Sequence, residues 1–278
     1  MKKTYSILFA IIALIVLSVT SVAFASVKPL SEDELAVGLE CNYAPFNWTQ
    51  LDDSNGAIEI KGGGGFCGGY DVEIAKKIAE GLGRKLVIVK IEWDGLIPAV
   101  NAEKIDAVIA GMSPTEERKI SVDFSDPYYE SDLVIVVKAD SEYAKATSIQ
   151  DFKDAKITAQ LNTFHYTVID QIEGVKKQTA MESFPAMIVA LSSEKIDGYI
   201  SERPGAISAM ASNPEFTFVS FEEGKGFVAS PEDVAVAVAI KKGNPNISAI
   251  NEILGKISKE DRQAIMDNAV KTQPALGE

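Results

Sequence analysis

Short apolar runs alternate with longer amphipathic ones along most of the chain. Leu35–Leu39 is a compact apolar run, apolar residues recur three and four apart from Val72 to Gly81, and Lys85–Ile91 is again short and β-branched. These periods predict a strand, a helix and a strand, followed by a helix over Leu96–Glu103 and a strand over Asp106–Ala110. Strands separated by helices predict α/β lobes with largely parallel sheets. The β-branched run Asp132–Lys138 breaks the rhythm, and a second series follows with strands over Ile157–Gln160, Asp197–Ser201 and Phe216–Val219. Val234–Ile240 predicts one more strand, with a helical pattern from Ile247 to Val270. Two α/β series separated by two extended segments predict two lobes joined by a double crossover.

The first residues do not fit this rhythm. Met1-Lys2-Lys3 precedes an uncharged stretch from Thr4 to Val27 centred on the apolar run Ile7–Val19, the layout of a signal peptide. Ala23-Phe24-Ala25 places small residues where a peptidase reads, so residues 1–25 are expected to be removed before Ser26. A retained membrane helix is the alternative, since the run is long enough to span a bilayer. No cysteine follows the run before Cys41, so no lipoprotein is expected. The mature chain is expected in the periplasm or another extracytoplasmic space.

Loss of Lys2 and Lys3 with the leader takes the formal charge from −13 to −15, which makes nucleic acid a poor partner. About 250 residues remain, enough for one large or two ordinary domains. Cys41 and Cys67 are an even pair in a chain bound for an oxidising compartment. A disulfide between them and two free thiols are both open readings. With two cysteines and one histidine, no metal site and no cofactor are expected.

A local repeat ties the two series together. Glu103-Lys-Ile-Asp106 recurs as Glu194-Lys-Ile-Asp197, each time at a helix end leading into a strand. Each strand then runs into a polar cluster, Ser113–Arg118 in the first series and Ser201–Pro204 in the second. Ligands of open α/β sheets bind beyond the carboxyl ends of strands, so these clusters are candidate half-sites.

In the first cluster, Ser113 as N-cap, Pro114 at the first helical position and Glu116 in a capping box predict a helix start that favours an anion. Arg118 in the same turn offers a planar, bidentate grip on a carboxylate. Asn162-Thr163-Phe164-His165 opens a second anion-compatible turn, and His165 is the chain's single histidine. Glu202 suits an ammonium partner, unless it pairs with Arg203 on the surface. Glu40 stands beside the aromatic-rich segment Tyr43–Trp48, and Trp93 follows another strand; their aromatic faces suit an aliphatic or cationic side chain. The run Gly62–Gly69 lacks the ending of a P-loop and predicts a flexible surface loop. No nucleophile is paired with a base, so no enzyme is expected.

Taken in order, Tyr43-Ala-Pro-Phe46, Gly69-Tyr-Asp71, Trp93-Asp-Gly-Leu-Ile-Pro98, Lys104 to Arg118 and Asp123-Phe-Ser-Asp-Pro-Tyr-Tyr129 closely resemble the polar amino-acid-binding proteins of ABC importers, the solute-binding proteins of family 3. The resemblance spans essentially the whole mature chain. It implies a two-lobe α/β clamshell of the type II periplasmic-binding-protein kind, with lobe 1 over 26–131 and 235–278 and lobe 2 over 132–234. Hinges are implied near 131–135 and 230–235.

By resemblance, Arg118 and the Ser113 amide, with Gly111 in the same motif, would hold the carboxylate of a free amino acid, helped by Thr163 and Phe164. Glu202 stands where the family usually has aspartate for the α-ammonium, and Asn162 replaces a common glycine. Glu40 would meet the distal end of the ligand between the aromatic walls Tyr43 and Trp93. An acid there favours lysine or arginine, with glutamine possible and glutamate or aspartate disfavoured. The partner would be an ABC transporter permease, and a monomer is expected. A few cyclohexadienyl dehydratases share the clamshell and are the enzymatic alternative. The polar tail from Gln273 to Glu278 is expected to lead into no signalling module.

Overall fold

The computed structural model describes residues 32–274, so the expected signal segment lies outside the described residues. Its strands fall mainly into two five-stranded sheets. Strands β1 (Glu34–Leu39), β2 (Lys85–Lys90), β3 (Ala107–Val108) and β4 (Val122–Phe124) belong to the first. The second takes β5 (Leu133–Lys138), β6 (Lys156–Thr158), β7 (Lys176–Lys177), β8 (Gly198–Glu202) and β9 (Phe216–Val219). The chain then returns to the first sheet as β10 (Ala239–Lys241). The strand orders are β2-β1-β3-β10-β4 and β7-β6-β8-β5-β9.

These sheets are mixed, not largely parallel. β1 runs parallel to β2 and β3, and β6 parallel to β7 and β8, as strand–helix–strand units require. β10 and β5, by contrast, enter on the passages between lobes and so run antiparallel to their neighbours. The two passages pair with each other as a ribbon, Tyr129–Glu130 against Ala235–Val236.

The predicted strand Val234–Ile240 is correspondingly divided in two. The whole of Ala235–Ile240 is buried, which explains its continuous apolar pattern. At the break, however, the Ala237 N–H donates to the Met112 carbonyl and the Val238 N–H to Ser125 Oγ, instead of to a ladder.

The helices are α1 (Tyr70–Gly81), α2 (Leu96–Asn101), α3 (Glu116–Lys119), α4 (Phe164–Val168), α5 (Phe184–Ser192), α6 (Arg203–Ser212), α7 (Ile247–Leu254) and α8 (Lys259–Thr272). In α1 the buried Val72, Ile74, Ala75, Ile78 and Ala79 form the stripe that the period predicted. The last helical pattern is two helices. Gly255 follows α7, and Ser258 starts α8 by accepting from the Asp261 N–H. No described helix is long and apolar enough to cross a membrane.

The four-residue repeat is structural. Glu103 and Glu194 both adopt the left-handed conformation, at φ 55° and 59°. There they end α2 and α5, with the N–H groups of Lys104 and Lys195 returning to the carbonyls of Ala99 and Ala190. Ile105 and Ile196 are then buried. Asp106 and Asp197 each accept from a backbone N–H of the neighbouring parallel strand, Ala36 and Lys156, at 2.7 Å. The same four residues turn the chain into the site-bearing strand of each lobe.

Beyond β1 a small sheet carries the glycine-rich run. Gly62–Gly65 form its exposed turn with positive φ, whereas Phe66–Gly68 are a strand paired with Asn47–Gln50, so only half of the run is a loop. Cys67 is bonded to Cys41, with Cα atoms 5.7 Å apart. This bond closes a loop of 26 residues, and the chain-entropy argument gives it about 3 kcal/mol. Cys41→Ala/Cys67→Ala is therefore expected to lower unfolding stability by about 3 kcal/mol without moving the midpoint of ligand titrations, as urea unfolding followed by tryptophan fluorescence would measure.

Candidate functional site

The carboxyl ends of β1, β3, β6 and β8 face one another between the lobes. β1 delivers Glu40, the segment after β3 delivers Gly111 to Ser113, β6 leads to Gln160 and Asn162, and β8 ends in Glu202. Of the residues expected from the sequence, Tyr43, Trp93, Gly111, Ser113, Arg118, Thr163, Phe164 and His165 line one small cavity of about 20 Å³, together with Gln160 and Phe184. The other two, Glu40 and Glu202, stand directly behind that lining, each 1% exposed. The cavity adjoins an outer cleft of about 640 Å³ that shares Trp93, Arg118, Thr163 and Phe164.

Glu202 does not pair with Arg203. Glu202 ends β8 and turns into the cleft, whereas Arg203 opens α6 and pairs outward with Asp132 at 3.2 Å. There its Oε2 accepts from the Tyr43 hydroxyl at 3.3 Å, and its Oε1 lies 3.8 Å from His165 Nε2. His165 Nδ1 is buried without a hydrogen-bond partner. Tyr43 is held flat between Phe46 and Phe184, with centroid distances of 4.9 and 4.1 Å, so the Tyr43–Phe184 stack crosses from lobe to lobe.

Glu40 accepts from Gln160 Nε2 at 3.1 Å across the cleft. Burial pushes its pKa up to about 8; the Gln160 hydrogen bond opposes this, and the neighbouring acids Glu92, Asp94 and Asp71 add to it. Among the described residues, no Lys or Arg forms a salt bridge with Glu40 or Glu202. Gln160 also donates to the Glu182 carbonyl at 3.1 Å, which fixes the orientation of its amide.

Arg118 is half-buried with its guanidinium 5.0 Å above the Trp93 ring. Desolvation brings its pKa down to about 10, and Glu117 and Asp233 counter this. Its Nη1 donates to the Ser113 carbonyl at 3.0 Å and its Nη2 to the Asn162 carbonyl at 3.1 Å. A guanidinium carries five N–H groups, so three remain for a ligand while the two carbonyls set its plane.

The expected capping by Ser113 is not what forms the helix. Thr115 is the N-cap, its side chain accepting from the Arg118 N–H, and α3 is a single turn. Ser113 instead presents its carbonyl to Arg118 and to the Thr115 N–H, because Pro114 keeps the residue before it extended. α4 likewise starts at Thr163, with Asn162 before it at φ 54°. This is the left-handed region in which asparagine is tolerated, so the residue that replaces a common glycine keeps the turn.

Gly111 is needed for a related reason. It sits at φ 63°, and a Cβ there would lie 2.8 Å from the Tyr43 ring. Its N–H donates to the Tyr128 hydroxyl at 3.4 Å, and that hydroxyl donates to Asp71 at 2.7 Å. Asp71, buried and also bonded to Asn47 at 2.8 Å, has its pKa pushed up to about 7 by burial. The segment carrying Gly111 and Ser113 is thus anchored from below by α1.

Sequence reasoning did not single out Gln160, Phe184 or Asp71 as site residues. The signal for Gln160 was present, as a polar side chain at the carboxyl end of a predicted strand. For Phe184, on the first turn of an apolar helix, no local signal exists.

Residues 35–269 match the model of the bacterial extracellular solute-binding proteins, family 3. A probable histidine-binding protein of Campylobacter jejuni is 33% identical over 197 residues, covering 69% of this chain and 70% of the relative. An L-cystine-binding protein of Escherichia coli is 28% identical over 88% of this chain and 89% of its own length. Among solved structures, an amino acid ABC transporter substrate-binding protein from Streptococcus pneumoniae bound to L-arginine matches with a TM-score of 0.75 at 26% identity, covering 86% of this chain and 95% of that one.

Proposed function

Because this chain belongs to the bacterial extracellular solute-binding proteins of family 3, we propose that it captures a free amino acid with a cationic side chain between its lobes and delivers it to an ABC importer. The observation that carries the reading is the charge content of the cleft. One guanidinium and two buried carboxylates, Glu40 and Glu202, converge there without pairing with one another. A buried charge is costly unless it is paired, so Arg118 calls for a carboxylate and Glu202 for a cation, and Glu40, held neutral by burial, ionises when a second cation faces it. Arginine and lysine carry that set. In this reading Arg118 holds the ligand carboxylate with help from the Gly111–Ser113 segment and the Thr163–Phe164 turn. Glu202 holds the α-ammonium beside His165, and Glu40 meets the distal cation, with Tyr43 and Trp93 walling the stem.

The inner cavity has room for about one water molecule, so a ligand gains access only when the lobes part. The ribbon at 129–130 and 235–236 is the natural hinge between the first lobe, which among the described residues takes 32–131 and 235–274, and the second, 132–234. Closure is favoured because the ligand contacts both lobes only in the closed form. The closed, monomeric binder would then dock on a permease after export of the mature chain. Calorimetry with a panel of amino acids tests the reading; no heat with any of them would refute it, and tight binding of glutamate in preference to arginine would refute the role given to Glu40.

The state of Glu40 adds a pH signature. Its folded pKa lies above the ordinary carboxyl value, so the acid is protonated below about pH 8 and ionises as the pH rises through it. A cationic side chain favours the ionised form. Binding of arginine or lysine near neutral pH is therefore expected to release a proton, and affinity should rise from about pH 6 to about pH 8. Titrations in buffers of different ionisation enthalpy would measure the released proton, and glutamine is expected to release none.

A further inference from the structure

Three contacts between the lobes meet on one residue at the rim of the cleft. The Asn162 carbonyl accepts from Trp93 Nε1 at 3.3 Å and from Arg118 Nη2 at 3.1 Å, and its side-chain amide donates to Asp94 Oδ1 at 2.9 Å. Asn162 belongs to the turn before α4 in the second lobe, whereas Trp93, Asp94 and Arg118 belong to the first. We propose that Asp94 and Asn162 form a clasp between the lobes, acting as positioning residues that set affinity for every amino-acid ligand alike.

The geometry separates this clasp from ligand recognition. Asp94 and Asn162 line the outer cleft but not the inner cavity that holds the recognition groups. Their contact spans 68 residues of chain and two lobes, so it exists only while the lobes are together. The left-handed turn at φ 54° aims the Asn162 carbonyl at Arg118 and Trp93 while its side chain reaches Asp94. A glycine in the same turn would keep the carbonyl contacts and lose the amide. Three guanidinium N–H groups remain free, so ligand binding need not break the clasp.

Such a contact raises the population of the closed form, and apparent affinity scales with the population of the binding-competent state. Both side chains are exposed, so one hydrogen bond here is expected to change affinity only about three- to tenfold.

The affinity part of the inference rests on the amino-acid-binding reading; the effect on lobe closure does not. Asn162→Gly, Asp94→Ala and the double variant are to be compared by calorimetry with arginine, lysine and glutamine, and by small-angle scattering of the ligand-free proteins. Asn162→Gly, which changes no charge, should raise Kd by the same factor, about three- to tenfold, for every ligand bound, and Asp94→Ala should match it for glutamine, since Asp94 also acts on Glu40. The double variant should be no weaker than the weaker single one, and Asp94→Asn, which keeps an acceptor oxygen, should stay near the parent for glutamine, whose side chain carries no charge. Ligand-free Asn162→Gly should scatter as a more open molecule.

Parental affinity in Asn162→Gly, additive losses for glutamine in the double variant, or a loss in Asn162→Gly confined to one ligand would each overturn the clasp. If no amino acid binds the parent, the functional reading fails, and scattering alone decides the clasp: a ligand-free parent that scatters as an open molecule, or a closed one whose radius of gyration is unchanged in Asn162→Gly, overturns it.

Discussion

Arg118→Ala is expected to remove measurable binding of every amino acid, whatever its side chain. The guanidinium is the only Lys or Arg group among the residues that line the inner cavity and Glu40 and Glu202 behind it. Its orientation is fixed by the Ser113 and Asn162 carbonyls and by stacking on Trp93. Deleting one partner of a desolvated, hydrogen-bonded charge pair costs about 2–5 kcal/mol, which raises Kd by roughly 30-fold to several thousandfold. Arg118→Lys should recover little, because an ammonium cannot satisfy two carbonyls and a carboxylate in one plane. Isothermal titration over the amino-acid panel measures this loss, and thermal unfolding establishes that the variant is folded. Parental affinity in a folded Arg118→Ala protein would place the carboxylate elsewhere.

Glu40→Gln should produce a loss of similar size that depends on the ligand. Glutamine has the shape of the protonated acid and can still accept from Gln160, so the fold and the aromatic walls are preserved. A cationic side chain, however, loses the carboxylate that neutralises it inside the cleft, a change worth about 3 kcal/mol or roughly a hundredfold in Kd. Glutamine as ligand should change little. The proton released by arginine or lysine should vanish in the same variant, which ties the pH signature to this side chain. A uniform loss across cationic and neutral ligands would mean that Glu40 supports the wall and does not select the ligand.

Much of this architecture was legible because it is written in local pattern. The apolar runs of β1 and Ala235–Ile240 announce buried strands, and the stripe on α1 announces a covered helix. The repeated Glu-Lys-Ile-Asp marks the same turn in both lobes, since a left-handed helix end and an aspartate facing a strand N–H are requirements of a few consecutive residues. Glu40 and Glu202 could be picked out because charged residues at the carboxyl ends of predicted strands have no place in a core, and Arg118 because it stands in the first turn of a predicted helix start. Ser113 was misjudged as a cap for the same local reason. Its sequence fits a helix start, but its carbonyl is drawn to Arg118 in the folded protein.

What the sequence by itself determined is therefore the set of chemical groups: two α/β lobes, a guanidinium, two acids and a belt of aromatic rings. Tertiary structure alone decided how those groups are used. The adjacent Glu202 and Arg203 could pair with each other on sequence alone, but in the fold Glu202 ends β8 in contact with Tyr43 while Arg203 opens α6 and pairs with Asp132. Gln160 meets Glu40, Phe184 stacks on Tyr43 and Asn162 reaches Asp94 across chain separations that no local period records. Those contacts belong to the interface between lobes, and an interface is fixed by how two separately folded sheets meet, not by the pattern within either one.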